Sequence, residues 1–261
     1  MIAPITQDGA QTLFRNSDGL FVFIPTLHKS FFADAPLNII FGGIDYNAQI
    51  EALDDFSNKL AVTFSDESKL GLTLNQMIAA GGKTILQETI FSTTKVNLKK
   101  YFENNKNLNG SSVYLNTTPI ATSLLSSQIR VYKYAPFSLL STQINFQPSL
   151  LMFTQYEDRQ NMYLANSIGK IDAELNSINA FLGNNLEYEY VNYAVAIGVE
   201  HFSKRFFNPH LELLFGESVN EDAQVEYQTK IYQAGRYGFV LPTKTLNTDH
   251  SNSLENEEFT D

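Results

Sequence analysis

Gly81-Gly82-Lys83-Thr84 ends as a phosphate-binding loop ends, with a lysine for the phosphate oxygens and a hydroxyl for a metal ion. That chemistry also needs a glycine five positions before Gly82, and Met77 stands there. The four residues therefore predict a turn. The histidines are His28, His201, His210 and His250. No two share the spacing that puts a pair of metal ligands on one helix face, so no metal site is expected. His201 and His210 flank Lys204-Arg205, which read as a loop with a basic pair too small to grip nucleic acid.

Adjacent carboxylates could divide acid and base roles. Glu157-Asp158, however, opens a predicted helix, where acidic side chains complement the positive dipole end. Asp54-Asp55 falls on the outer side of another predicted helix. No G-x-S-x-G elbow is present, and the absence of cysteine removes thiolate nucleophiles, disulfides and cysteine–zinc sites. The expectation is no catalytic residue, no cofactor-binding residue, no metal ligand and no cofactor: a protein that is not an enzyme.

These residues are carried by a chain of 261 residues, enough for one large domain or two small ones. Eighteen basic against 28 acidic side chains leave a net charge of −10, which opposes sequence-specific nucleic-acid binding. Met1–Arg15 lacks a basic segment followed by an apolar run, so no secretory leader is expected. No window reaches the roughly 20 apolar residues of a membrane span.

The element that organises this reading is Thr154–Gly183. Leu164, Ile168, Ile171, Leu175, Ile178 and Leu182 recur at steps of three and four, one face of a helix. Thr154 and Glu157 suit a capping box, and Gly183 suits the close. A continuous helix over 158–182 is predicted, packed on flanking strands at Leu139–Phe153 and Tyr188–Phe202. Val191, Tyr193, Val195, Ile197 and Val199 alternate with Asn192, Ala194, Ala196, Gly198 and Glu200, as in a strand. Further strands are expected at Leu20–Leu27, Leu37–Phe41, Leu60–Phe64, Ile85–Phe91, Val113–Leu115, Gln128–Tyr134, Leu211–Phe215, Val225–Tyr232 and Phe239–Leu241. Ala48–Leu60, Leu72–Ala80 and Val96–Asn104 read as helices, and Thr122–Ser127 as a loop or weak strand. The fold class is α+β: a mixed or antiparallel sheet against one long helix. Along the chain this gives an arm at 1–18, an α/β portion at 19–108, a β-rich core at 109–245 and a mobile acidic tail at 246–261. Asn104–Ser112 is the linker candidate.

Tyr134-Ala-Pro-Phe137, then Pro148 to Asp158 (PSLLMFTQYED), then the predicted helix, resembles a segment of the tail terminator family of contractile-tailed bacteriophages. Val225–Pro242 (VEYQTKIYQAGRYGFVLP) resembles the strand that closes that segment. The resemblance implies a structural virion subunit of the tail or neck, assembled as a homomeric ring, a hexamer, and contacting other tail or neck proteins. It implies no catalysis, no sequence-specific nucleic acid and no membrane. The alternative is a bacterial β-rich binding or adhesion module without catalysis.

Overall fold

The structure is a computed structural model, and it describes residues 1–3, 5–17, 19–91 and 99–243. The chain forms two compact units. One is Met1–Asp45 with Ser167–Thr229; the other is Tyr46–Asn166 with the segment from Lys230 onward. The backbone thus passes from one unit to the other three times, after Asp45, Asn166 and Thr229. The tail at 246–261 and His250 lie outside the described residues.

The second unit is a seven-stranded mixed sheet. Its order is Phe239–Val240, Lys230–Ala234, Met162–Asn166, Ser138–Ser141, Ser112–Asn116, Leu60–Asp66, Thr84–Phe91. The five strands from Met162–Asn166 to Thr84–Phe91 are parallel, Lys230–Ala234 pairs antiparallel with Met162–Asn166, and Phe239–Val240 pairs antiparallel with Lys230–Ala234. Parallel neighbours require crossovers, which Lys69–Ala80 and Pro119–Val131 supply as helices. Every residue of Ser112–Asn116 is buried. A parallel strand covered on both faces reads as an unbroken apolar run rather than an alternation. Ile50, Leu53, Phe56, Leu74, Ile78, Tyr114 and Tyr163 pack as its core.

The first unit pairs Val22–Ile24 with Ile39–Phe41 in parallel. Because side chains alternate across a strand, Val22 and Ile24 pack with Ala10 and Phe41, while Phe23 packs with Tyr193 and Ile197. Residues 7–16, expected as part of an extended arm, are a helix, with Thr6 accepting the Gly9 amide at its start.

The mixed sheet stands, but the long helix does not. The stretch 158–182 holds the end of a short helix, Tyr156–Arg159, then a strand, Met162–Asn166, then a separate helix, Ala173–Phe181. Met162–Ala165 is a continuous apolar run that the sheet buries on both sides, and this overrides the three–four spacing. Asp172, not Thr154, caps the surviving helix, by accepting the amides of Glu174 and Leu175.

The expected strand at Tyr188–Phe202 is also a helix, Tyr190–Phe206. Tyr193, Ala194, Ile197, Gly198 and Glu200 are its buried face, and that set fits 3.6 residues per turn, not two. Gly198 admits the strand beneath: a Cβ there would lie 2.6 Å from Phe23 Cδ1. Gln128–Val131 of the expected strand Gln128–Tyr134, and the Ser-rich run before it, belong to the helix Pro119–Val131, opened by Thr118 and Pro119, and Tyr132–Tyr134 turn away beyond its end. Leu139–Phe153 divides into the strand Ser138–Ser141 and the helix Pro148–Phe153, with Pro148 in the first turn. Leu211–Phe215 is irregular. Val225–Tyr232 splits, its first two residues in a hairpin and Lys230 onward in the sheet.

Candidate binding site

From Leu60–Asp66 the chain crosses to Thr84–Phe91 on one side, then returns to Ser112–Asn116 on the other. The order reverses between the first and third of these strands. In open sheets of this kind the crevice beyond their carboxyl ends takes ligands. Here those ends are Asp66 and Asn116, and each strand leads directly into a helix.

Ser68 Oγ accepts the Gly71 amide at 3.0 Å and Thr118 Oγ1 accepts the Ala121 amide at 3.4 Å. Both residues are exposed. A hydroxyl that accepts a cap bond keeps its own proton, so each can still donate outward. Two hydroxyl donors beside two positive helix ends suit a carboxylate. Asp66 Oδ1 accepts the Ser68 amide at 3.0 Å. The first helix sits so close that a Cβ on Gly71 would lie 2.8 Å from Asp66 Oδ1 and 2.9 Å from the Asn116 carbonyl oxygen. A larger residue at 71 would push the Ser68 turn off the strand ends.

Behind this edge lies a layer of buried neutral polar groups that reaches the exposed Glu88 carboxylate on one side. Asn75 Nδ2 donates to Ser65 Oγ at 3.0 Å and to Glu88 Oε1 at 2.9 Å, while its Oδ1 accepts from Asn116 Nδ2 at 2.8 Å. Asn145 Nδ2 reaches the carbonyls of Leu115 and Thr117 and the hydroxyls of Thr122 and Ser141, all within 3.1 Å. Asn116 Oδ1, Thr142 Oγ1 and Asn145 Oδ1 are buried with no partner among the described residues.

The residues singled out in the sequence lie elsewhere and mostly hold structure. Gly81 closes the helix Lys69–Ala80 through its amide, and Gly82 takes φ of 81°. A phosphate loop would instead open a helix. Lys83 pairs with Asp54 at 2.8 Å. Asp158 is buried and takes Arg130 Nε, tying the helix Pro119–Val131 to the Tyr156–Arg159 turn. Arg159, also buried, donates to the carbonyls of Thr154, Gly235 and Arg236. His28 Nδ1 accepts the Ser30 amide. His201 lies 3.2 Å from the Glu217 carbonyl through Nε2. Burial lowers the pKa of both rings, against the raising influence of Asp45 on His28 and of the Glu217 carbonyl and Glu200 on His201. Lys204-Arg205 is not in a loop; it forms the last turn of a helix, where cations suit the dipole, and Arg205 lies over the Phe21 ring. His210 is exposed. Ser68 and Thr118 were missed, although Thr118-Pro119 is a legible helix start.

The first unit holds a cavity of about 450 Å³ between Ala173–Phe181, Tyr190–Phe206 and the loop Leu211–Phe215. Its walls are largely aliphatic, and Glu200 opens into it.

No family model matches the sequence, and no curated relative matches it. The fold is shared with substrate-binding proteins of transporters. The branched-chain amino acid transporter substrate-binding protein LivJ of Streptococcus pneumoniae, in complex with isoleucine, has a TM-score of 0.67 at 11% identity, over 91% of this chain and 76% of its own. The leucine-binding protein LivK of Thermotoga maritima gives 0.64 at 10%, over 91% and 77%. The C-domain of Haemophilus influenzae LpoA, a regulator of PBP1A, gives 0.54 at 13%, over 92% and 80%.

These likenesses overturn the tail-terminator reading. The virion location, the hexameric ring and the tail or neck partners fall with it, because solved structures with this fold are of ligand-binding proteins and a regulator of PBP1A. The segment that carried the resemblance also lacks the form it required, a strand entering one long helix. Among the described residues no helix is long and apolar enough to cross a membrane.

Proposed function

We propose that this chain is a non-catalytic binding module that takes a small carboxylate-bearing molecule of the amino-acid class. The site is the carboxyl edge of the Leu60–Asp66 and Ser112–Asn116 strands. The observation that carries the reading is the pair of capped helix starts, Ser68 and Thr118, side by side where the strand order reverses. Their hydroxyl protons and helix ends would hold the carboxylate. Asp66, at the same edge, would take an ammonium group. The amino-acid ligands of LivJ and LivK, which share the fold, support that class.

Titration calorimetry of the full chain against each free amino acid tests this. Saturable binding of one or a few is expected. Ser68→Asp is the informative variant, because aspartate caps a helix as well as serine but offers no proton and repels a carboxylate. Loss of binding in folded Ser68→Asp supports the site. Binding that survives it, or no binding by any amino acid, overturns the proposal.

A further inference from the structure

The cavity of the first unit has a chemistry opposite to the sheet edge. Glu200 is 6% exposed. Its Oε1 accepts the Leu214 amide, and its Oε2 is buried with no partner among the described residues. A carboxylate oxygen left so is costly unless something donates to it. The other polar walls are Asn179, Asn184, Asn192, Ser203 and Glu212. Glu212 is a second carboxylate, and Asn179 and Asn192 each give one side-chain hydrogen, to Leu175 O and Glu189 Oε2. Among the described residues no lysine, arginine or histidine lines the cavity. Leu175, Leu186, Val195, Leu211 and Phe215 supply apolar surface. A volume of about 450 Å³ falls within the range of small-molecule pockets.

We propose that this cavity is a second ligand site, independent of the sheet edge, that binds a small hydrophobic primary amine as its ammonium ion. The ammonium is held by the charge of the Glu200 carboxylate in the cavity wall, and the chain lies along Val195 and Leu211. An anion would meet two carboxylates and no cation. A neutral hydrocarbon would fill the walls but leave the Glu200 charge without a counter-charge.

The test uses matched probes on the full chain: hexylamine and phenethylamine against 1-hexanol and 2-phenylethanol, followed by residue-resolved NMR. Saturable shifts at Val195, Ala196 and Leu211 are expected with the amines, at least about tenfold tighter than with the alcohols. Glu200→Gln should bring amines and alcohols within about threefold of each other. Val199→Trp, on the open side of the helix, should block both by filling the cavity. Amine and alcohol binding equally in the unaltered chain, amine selectivity that survives Glu200→Gln, or shifts confined to the Ser68–Thr118 edge would each overturn the proposal. Because Ser68→Asp leaves this cavity untouched, failure of one site does not read as failure of the other.

Discussion

The sheet edge and the helix cavity are built for opposite charges by different means. At the sheet edge the attraction for an anion comes from backbone: two helix starts and the hydroxyls that cap them. In the cavity the attraction for a cation comes from one carboxylate, Glu200, held by a single backbone amide. Behind the edge, neutral amides bond to one another and tolerate burial; in the cavity, a charge is half-answered. A polar group that shares its bonds stabilises a fold, and one that keeps an unmet bond is set up to receive something.

That contrast is sharpest at Asn145, so its removal should have the largest effect. Asn145→Leu keeps the volume but removes two amide hydrogens that are shared among two carbonyls and two hydroxyls. We expect a loss of roughly 3 kcal/mol, since each buried hydrogen-bond partner left unmet costs about 1–3 kcal/mol. Urea unfolding should show a lower midpoint at unchanged slope. A loss below about 1 kcal/mol would show that the amide is not holding this edge.

Gly198→Ala tests the packing of the other unit. The new methyl would press on the Phe23 ring, and overpacking of this sort costs about 1–3 kcal/mol, partly offset by about 1 kcal/mol of helix propensity. A net loss of about 0–2 kcal/mol in thermal unfolding is expected. A gain in stability would mean that helix and strand can separate freely.

Ser68→Ala should cost about 1 kcal/mol through the lost cap, and Ser68→Asp close to none. If the aspartate variant were as unstable as the alanine one, the cap geometry at this edge would be wrong.

The smallest effect is electrostatic. Burial lowers the His201 pKa below its ordinary 6.5, so the fold favours the neutral ring while the unfolded chain protonates first. Its contribution is intact above 6.5 and is lost as pH falls from there through the lower folded value. Between about pH 7.5 and 5.5 the melting temperature of the unaltered chain should fall more than that of His201→Gln. Equal slopes would remove the ring from the acid response.

The sequence was read well where one pattern had no rival. Ile39–Phe41 of the expected Leu37–Phe41, and all of Leu60–Phe64 and Ile85–Phe91, lie in strands, and Leu72–Ala80 lies in a helix. It misled where two periods coexist. Val191 to Val199 alternates, yet Tyr193, Ile197 and Glu200 also mark one helical face; only packing against Phe23 decides. Leu164 to Leu182 spaces its apolar residues by threes and fours although part of it is a sheet-buried strand. Neither site was legible. Ser68 and Thr118 lie far apart in sequence, and only the strand order brings them to one edge. Glu200 resembles any other polar residue of its segment until Leu214 and the aliphatic walls surround it.

The threefold passage of the backbone between units also bears on synthesis. Met1–Asp45 leaves the ribosome well before its packing partners Tyr193, Ile197 and Val225 are made. The strand Met162–Asn166 must likewise wait for Lys230–Ala234 to cover its edge. At about 5–20 residues per second, that interval is roughly 3–13 seconds, during which a buried apolar strand stands open on one side. An open edge of this composition invites pairing with another chain. Expression yield should therefore respond to chaperone supply and to translation speed through 167–230, even where the finished fold is stable.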